Sequence, residues 1–79
     1  MEQPFEERLT CIGRRVRKLR KQKKMSQEEL AYLIGVSVIT VSRIESGQNA
    51  MNIQTLIRLS ETLDVSLEEI LCSEGKKVG

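Results

Sequence analysis

Residues 26–47 carry two start signals and two stop signals for helices, and this spacing constrains the fold more than any other feature. Ser26 and Glu29 form a capping box, in which the serine side chain accepts from the backbone N–H of Glu29 and the glutamate reaches back. Gly35 is a stop signal because glycine takes the left-handed conformation at little cost. Ser37 then starts a second helix, which the next glycine ends. Two short helices joined by a tight turn are typical of a helix-turn-helix motif, although a simple corner between two helices gives the same local signal.

The first helix is predicted from a stripe of apolar residues spaced four and three apart. The stripe consists of Phe5, Leu9, Ile12, Val16 and Leu19. This spacing places all members on one side of a helix. Pro4 suits a first helical position, and the helix is expected to end near Lys23 or Lys24. Its other faces carry arginines and lysines.

Two more helices are predicted after residue 51. Asn52 is a favoured N-cap for the fourth helix. Its inner face is expected to consist of Ile53, Leu56, Ile57, Ser60 and Leu63. Ser66 and Glu69 repeat the capping box and start a short fifth helix. Strand-type alternation is missing, so the sequence predicts an all-α domain of five helices over residues 1–72, with a disordered tail at 73–79.

The composition excludes several kinds of function. The chain has no histidine, so triads, metal sites and proton relays that depend on histidine are excluded. Cys11 and Cys72 belong to no paired motif, and we expect both to be reduced thiols in a cytoplasmic protein. The longest uncharged run, residues 30–42, is too short to span a membrane. Neither a nucleophile with its base nor a set of metal ligands is present, so we predict no enzyme, no metal and no cofactor.

Positive charge is concentrated at the start of the chain. Residues 1–25 hold nine Lys and Arg against three Glu, whereas residues 26–79 hold four against eight Asp and Glu. The net charge is only +2. This asymmetry indicates a polyanionic partner on one face, although a charged face is often simply solvated.

The segment SQEELAYLIGVSVITVSRIESGQNAMNIQTLIRLSETLDVSLEEIL closely resembles the lambda-repressor-like (Cro/repressor type) helix-turn-helix family. The resemblance extends back through IGRRVRKLRKQKKM and covers residues 11–71. It rests on SQEELA, SRIESG and the ending LDVSLEEIL, which occur together at the family's spacing. The resemblance implies a DNA-binding domain that docks its third helix in the major groove of double-stranded DNA. It also implies a homodimer on a two-fold related operator.

The resemblance also assigns roles to single residues. Positions at or near base edges are Val38, Ile39, Thr40 and Arg43. Phosphate contacts are expected from Gln27, Ser37, Gln48 and Asn49, with added attraction from Arg17 and Lys18 on the basic first helix. Two departures stand out: the loop after SRIESG is uncharged where many relatives carry Lys and Arg, and Lys24 stands where many relatives have Gly. A lysine in the left-handed conformation carries strain.

Helical geometry sharpens three of these assignments. Val41 and Ile44 set the core direction of the third helix, so at about 100° per residue Ile39 points nearly opposite and Val38 points sideways. Exposed aliphatic groups at this end of a major-groove helix suit the thymine methyl, and we predict that both read A·T pairs. Packing against sugars and phosphates, or cover by a protein partner, are the alternatives. Arg43 is the sole cation on this helix and suits guanine O6 and N7, a phosphate contact or a solvated arginine being the alternatives.

Two further contacts are predicted. Arg20 and Glu45 both lie at the margin of the core on a helical wheel, and the resemblance places them as partners in an ion pair. The fifth helix is too short to bury Leu67, Ile70 and Leu71 within its own domain. We therefore expect Leu67, Leu71 or both to contribute to the homodimer contact, ordinary core packing in a monomer being the alternative.

Three functions remain open at this point. The first is a free-standing dimeric transcription regulator, such as a small phage-type repressor or a restriction–modification controller protein. The second is an antitoxin-like protein that also binds a protein partner, and the third is a protein-binding module with the same fold.

Overall fold

A computed structural model of the protein describes residues 5–48 and 51–71. The helices are α1 Phe5–Gln22, α2 Gln27–Ile34, α3 Val38–Glu45, α4 Ile53–Leu63 and α5 Leu67–Ile70. The described residues contain no strand, and the predicted all-α fold of five helices is confirmed. Residues 1–4, with the predicted helix start at Pro4, and the predicted tail at 73–79 lie outside the described residues. No helix in the two described ranges is both long and apolar enough to cross a bilayer.

Serine and asparagine side chains start four of the helices, as the sequence predicts. Ser26 Oγ accepts from the backbone N–H of Glu29 at 3.0 Å, and Ser26 N–H donates to Glu29 Oε1 at 2.8 Å. The same capping box starts α5. Ser37 caps α3 and Asn52 caps α4. These local hydrogen bonds satisfy donors that the first helical turn leaves without a partner.

Left-handed residues end the first three helices. Lys24, at φ 60°, follows α1, and the next N–H, that of Met25, donates to the carbonyl of Arg20 at 3.2 Å. The same arrangement follows α2 at Gly35 and α3 at Gly47, at φ 76° and 82°. Each turn thus ends its helix with a left-handed residue and a backbone hydrogen bond. Lys24 therefore occupies a position for which glycine is the favoured residue.

Buried aliphatic side chains from all five helices form one core. It consists of Ile12, Val16, Leu30, Ala31, Ile34, Val41, Ile44, Leu59, Leu63 and Ile70. Leu19, Met25 and Val65 pack half-buried against it. Ile12, Val16 and Leu19 from the stripe predicted for α1 thus contribute to this interior.

The inner face of α4 differs from the prediction. Ile53 and Ile57, predicted to face inward, are 65% and 42% exposed, whereas Leu59 is completely buried. Leu59 and Leu63 set the core direction, and Leu56 packs half-buried beside them. An apolar stripe about 100° wide cannot also include the two isoleucines. The helix therefore carries two aliphatic side chains that its own core does not accept.

Cys11 is disulfide-bonded in the structure, so the prediction of a reduced thiol at this position is wrong. Cys72 lies outside the described residues. A disulfide requires two Cβ atoms within about 4.5 Å of each other, and the separation of two cysteines along a chain does not determine that distance.

Gly13 allows α1 to lie directly on the C-terminal end of α3. A Cβ at this position would lie 2.4 Å from the carbonyl oxygen of Ile44 and 2.6 Å from that of Glu45. Both obstacles are backbone atoms, which cannot rotate away as a side chain does. The close packing of these two helices therefore requires glycine.

Replacement of Gly13 by alanine is expected to destabilise the fold. The overpacked methyl should cost about 1–3 kcal/mol of unfolding free energy, against the gain of about 1 kcal/mol that alanine brings to a helix. Urea unfolding followed by circular dichroism measures the difference. Arg14→Ala, at an exposed neighbouring position, is the control and should stay within about 0.5 kcal/mol of the wild type. A Gly13→Ala variant more stable than the wild type would contradict the close packing.

Lys24→Gly is expected to stabilise the protein. A residue with a Cβ in the left-handed conformation costs about 1–2 kcal/mol, which glycine removes. Glycine also loses more conformational freedom on folding, which offsets part of this gain, so the net stabilisation should be about 1 kcal/mol. Thermal unfolding of Lys24→Gly and Lys24→Ala separates backbone strain from loss of charge. An equal change in the two variants would rule out the strain.

Candidate nucleic-acid interface

A buried ion pair joins the end of α1 to the end of α3. Arg20 Nε donates to Glu45 Oε2 at 2.6 Å, and Arg20 Nη2 donates to Glu45 Oε1 at 3.1 Å. The two residues are 8% and 7% exposed. Arg20 Nη1 also donates to the carbonyl oxygen of Met25 at 2.8 Å. The structure brings the two predicted partners together and adds the turn before α2 to their contact.

Gln27 extends this network to the start of α2. Its Nε2 donates to Glu45 Oε1 at 3.0 Å. The sequence assigns Gln27 to a phosphate, whereas the structure shows one of its two amide N–H groups pointing inward; the second remains available as a donor. No buried side-chain nitrogen or oxygen in the described residues lacks a hydrogen-bond partner. The network thus fixes the ends of three helices relative to each other.

One side of α3 is left exposed. Val41 and Ile44 face the core, as the helical wheel predicts. The opposite side, here called the outer face of α3, consists of Val38, Ile39, Ser42 and Arg43. Ile39 is 62% exposed and Val38 is 39% exposed. Two aliphatic groups and one cation therefore lie together on a surface open to a ligand.

Ser42 is a member of the outer face that the sequence prediction missed. It is exposed, and it lies one turn after Val38. The resemblance had assigned it no role, but the angle of about 100° per residue places it between Val38 and Ile39 on the wheel. The same angular argument that selected the two aliphatic residues identifies this hydroxyl.

The N-terminal end of α3 presents backbone donors. Ser37 Oγ accepts from the N–H of Thr40 at 3.1 Å, and the Ser37 carbonyl accepts from that of Val41 at 3.2 Å. The N–H groups of Val38 and Ile39 have no acceptor among the described residues. Free N–H groups at a helix N-terminus suit a phosphate oxygen.

Thr40 lies at the edge of the outer face. It is half-buried, and its Oγ1 lies 2.9 Å from Ser37 Oγ. The two hydroxyls share a hydrogen bond, so Thr40 supports the cap as well as facing outward. Ser37 is exposed and lies next to the free N–H groups.

The guanidinium of Arg43 makes no hydrogen bond or ion pair with any described residue. The carbonyl of Arg43 accepts from the N–H of Gln48 at 2.8 Å and from the hydroxyl of Ser46 at 3.2 Å. The backbone is therefore fixed while the charged group is free to make two parallel hydrogen bonds to a ligand. Gln48 is exposed in the turn that follows, and Asn49 lies outside the described residues.

Arg17 and Lys18 are exposed on α1. Lys18 lines a surface hollow together with Arg14 and Arg15. Neither Arg17 nor Lys18 has a hydrogen bond or ion pair to α3 within the described ranges. The structure therefore gives these two residues a charge to contribute, but no fixed geometry toward the outer face of α3.

Leu67 and Leu71, the predicted dimer contact, are both half-buried. Leu71 packs against the core, next to the fully buried Ile70. Part of the surface assigned to a second copy is thus used within the domain.

Arg20→Ala is expected to destabilise the fold by about 3–5 kcal/mol, because it leaves a buried carboxylate without its cation. Denaturant unfolding of Arg20→Ala and of the exposed-site control Arg17→Ala measures the effect. Replacing both partners, as Arg20→Met with Glu45→Leu, should cost less than the single change. A single-variant loss below about 1 kcal/mol would contradict the role of the pair.

A family model described as helix-turn-helix matches residues 16–70. This match covers more than half of the chain and includes all of α2, α3 and α4. The chain therefore belongs to the helix-turn-helix family, as its resemblance to lambda-repressor-like proteins implies.

Two relatives from Bacillus subtilis are similar to this chain. It is 36% identical over 62 residues to YqaE, an uncharacterised HTH-type transcriptional regulator, and the match covers 78% of this chain and 53% of YqaE. It is 31% identical over 68 residues to RghRB, another uncharacterised HTH-type transcriptional regulator, covering 85% of this chain and 49% of RghRB. The chain thus spans about half the length of these curated relatives.

Two solved structures share the fold over most of their length. The restriction–modification controller protein C.AhdI from Aeromonas hydrophila has a TM-score of 0.75 and 35% identity, over 78% of this chain and 94% of C.AhdI. The P22 c2 repressor in complex with a synthetic operator has a TM-score of 0.74 and 33% identity, over 76% of this chain and 91% of the repressor chain in that structure.

Proposed function

We propose that this chain is a sequence-specific, double-stranded DNA-binding transcriptional regulator whose α3 lies in the major groove. The proposal is based on the outer face of α3, which has an exposed aliphatic pair and an arginine whose guanidinium has no partner among the described residues. A major groove about 12 Å wide admits one helix. The names of YqaE and RghRB as transcriptional regulators and the operator complex of the P22 c2 repressor support the same function.

The outer face supplies three kinds of base contact. Arg43 donates two hydrogen bonds to guanine O6 and N7. Val38 and Ile39 pack against thymine methyl groups, with Thr40 and Ser42 as short polar contacts beside them. This mixture of one cation, two aliphatic groups and two hydroxyls favours a site that contains both G·C and A·T pairs.

Phosphate contacts flank the base contacts. The free N–H groups at the start of α3 and the Ser37 hydroxyl bind one phosphate, and Gln48 follows the backbone beyond the other end of α3. Gln27 donates its second amide N–H to a phosphate while its first remains bonded to Glu45. Arg17 and Lys18 add attraction that does not depend on the sequence of the DNA.

Two copies bind a two-fold related operator in this proposal, with half-sites about 34–36 Å apart, or one helical turn. An eight-residue α3 contacts only a few base pairs, so a second copy is needed to specify a longer site. In this proposal, the protein binds its operator in the cytoplasm. Likeness to both a controller protein and a phage-type repressor supports a small regulator of one of these two kinds.

The function is tested by selecting preferred sites from random double-stranded DNA and measuring binding to them, and to DNA upstream of the protein's own gene, at two salt concentrations. A preferred site and a steep loss of affinity with salt are expected, because bound cations leave the phosphates. Absence of any preferred sequence would overturn DNA readout and favour the protein-binding alternatives.

Arg43→Ala is expected to weaken binding to the selected site by about 1–3 kcal/mol and to relax the preference at one base pair in each half-site. Arg17→Ala is the matched control, because it removes one exposed cation outside α3 and should weaken all sequences alike. Competition binding with each base pair changed in turn measures both effects. A uniform loss for Arg43→Ala would make Arg43 a phosphate contact instead of a reader.

Replacement of each operator thymine by uracil removes only the methyl group that Val38 and Ile39 are proposed to contact. At one or more positions, wild-type binding should weaken more than the binding of Val38→Ala or Ile39→Ala. Titration of wild type and both variants on the substituted sites gives the comparison. Equal losses in all three proteins would exclude contact with the methyl groups.

A further inference from the structure

The side chain of Gln27 lies between the buried ion pair and the proposed DNA surface. Gln27 is the first residue of α2 and is half-buried. Its Nε2 donates to Glu45 Oε1 at 3.0 Å. Glu45 is a buried residue of α3, the helix that is proposed to read the bases. One carboxylate therefore joins the reading helix to a side chain on the neighbouring helix that is proposed to contact a phosphate.

We propose that the ion pair of Arg20 and Glu45 positions the amide of Gln27 for one phosphate of the DNA. In this arrangement Gln27 alone contacts the phosphate, and the two charged residues act through Gln27 as positioning residues. The proposal rests on the DNA-binding function proposed above. It assigns a second role to a pair that also stabilises the fold.

The carboxylate of Glu45 determines which end of the Gln27 amide turns inward. An ionised carboxylate accepts hydrogen bonds and cannot donate them, so it binds the NH2 group of the amide and excludes the amide oxygen. The second N–H of the same nitrogen is then directed away from Glu45. A glutamine without such a partner rotates about its last side-chain bond and presents its oxygen, which a phosphate repels, as readily as its NH2 group. The bond to Glu45 thus orients the donor before DNA binds.

Arg20 holds the carboxylate in the position that Gln27 requires. Its Nε and Nη2 bind the two carboxylate oxygens of Glu45 at 2.6 and 3.1 Å. A carboxylate held at both oxygens cannot rotate, so Oε1 stays in one place. Arg20 Nη1 also donates to the carbonyl oxygen of Met25 at 2.8 Å. Because Met25 precedes Gln27 by two residues, Arg20 fixes both the acceptor and the backbone from which the glutamine extends.

Arg20 also neutralises a negative charge that lies close to the proposed phosphate. Two oxygens bound to the same NH2 group are about 5 Å apart, so the phosphate comes within this distance of the Glu45 carboxylate. The first turn of α2 already carries Glu28 and Glu29. A third carboxylate without a cation would repel the phosphate. The pair with Arg20 has no net charge, and this allows a carboxylate to orient a phosphate-binding group.

The first experiment is performed without DNA. NMR measures how fast the side-chain amide protons of Gln27 exchange with water, and Gln54, exposed on α4, is the reference in the same sample. One Gln27 proton should exchange at least about tenfold more slowly than those of Gln54, because it is bonded to a charged acceptor. The variant Arg20→Met with Glu45→Leu should lose this protection. Equal exchange of the two glutamines in the wild type would overturn the proposal.

The second experiment replaces each phosphate of the selected DNA site in turn by a methylphosphonate, which removes its charge. At one phosphate the wild type should lose about tenfold in affinity, as expected for a hydrogen bond to a charged group. Gln27→Ala should lose less than about twofold there, because the donor is already missing. Arg20→Met with Glu45→Leu should behave like Gln27→Ala although its glutamine is intact. A wild-type loss in this double variant would show that Gln27 needs no positioning by the pair.

Val41→Ala is the control that separates positioning from a loss of stability. Val41 is 1% exposed on α3, so alanine loosens the core but leaves the acceptor of Gln27 in place. This variant should keep the wild-type loss at the phosphate that Gln27 contacts. If Val41→Ala also becomes insensitive to that methylphosphonate, any destabilisation of α3 has the same effect and the proposal is wrong.

The same measurements distinguish failure of this proposal from failure of the proposed function. A preferred DNA site at which no phosphate depends on Gln27 would overturn the positioning role and leave DNA readout intact. Absence of any preferred site would overturn DNA readout, and the phosphate contact with it.

Discussion

The ion pair between Arg20 and Glu45 is the interaction on which the orientation of α3 depends. A guanidinium has five donors in a rigid fork, and this one is bonded to both carboxylate oxygens of Glu45 and to the Met25 carbonyl. Removal of one partner would leave a buried charge. Because Glu45 lies on the inner side of α3, fixing Glu45 also determines which residues of that helix face outward.

Close backbone packing and the buried network act at the same end of α3. Gly13 brings α1 against the carbonyl oxygens at that end, and Gln27 attaches α2 to the same carboxylate. The other end of α3 is left with exposed N–H groups and an exposed aliphatic pair. A small core thus holds one end of the helix rigidly while the opposite side stays open, which is what preorganised readout of a groove requires.

The parts of the fold that were predictable from sequence depend on near neighbours. Caps and stops such as Ser26 and Gly35 act within one helical turn, so the helix ends followed from the residue types. The inner face of α4 did not follow in this way. A stripe of Ile53, Leu56 and Ile57 and a stripe of Leu56 and Leu59 both fit helical spacing, and only packing against other helices selects between them. The bond from Gln27 to Glu45 joins residues far apart in the chain, and no local pattern signals it. Of the outer face, Val38 and Ile39 followed from helical angles, and Arg43 followed from being the sole cation of α3.

Intermolecular NOEs show whether the outer face of α3 lies in the major groove, as we propose. A complex of methyl-labelled protein with its selected DNA site should show NOEs from the Ile39 methyl groups to thymine C5-methyl protons, which lie in the major groove. NOEs from the Ile39 methyl groups to adenine H2 protons, in the minor groove, would contradict docking in the major groove. So would DNA contacts made by another helix while Ile39 shows none.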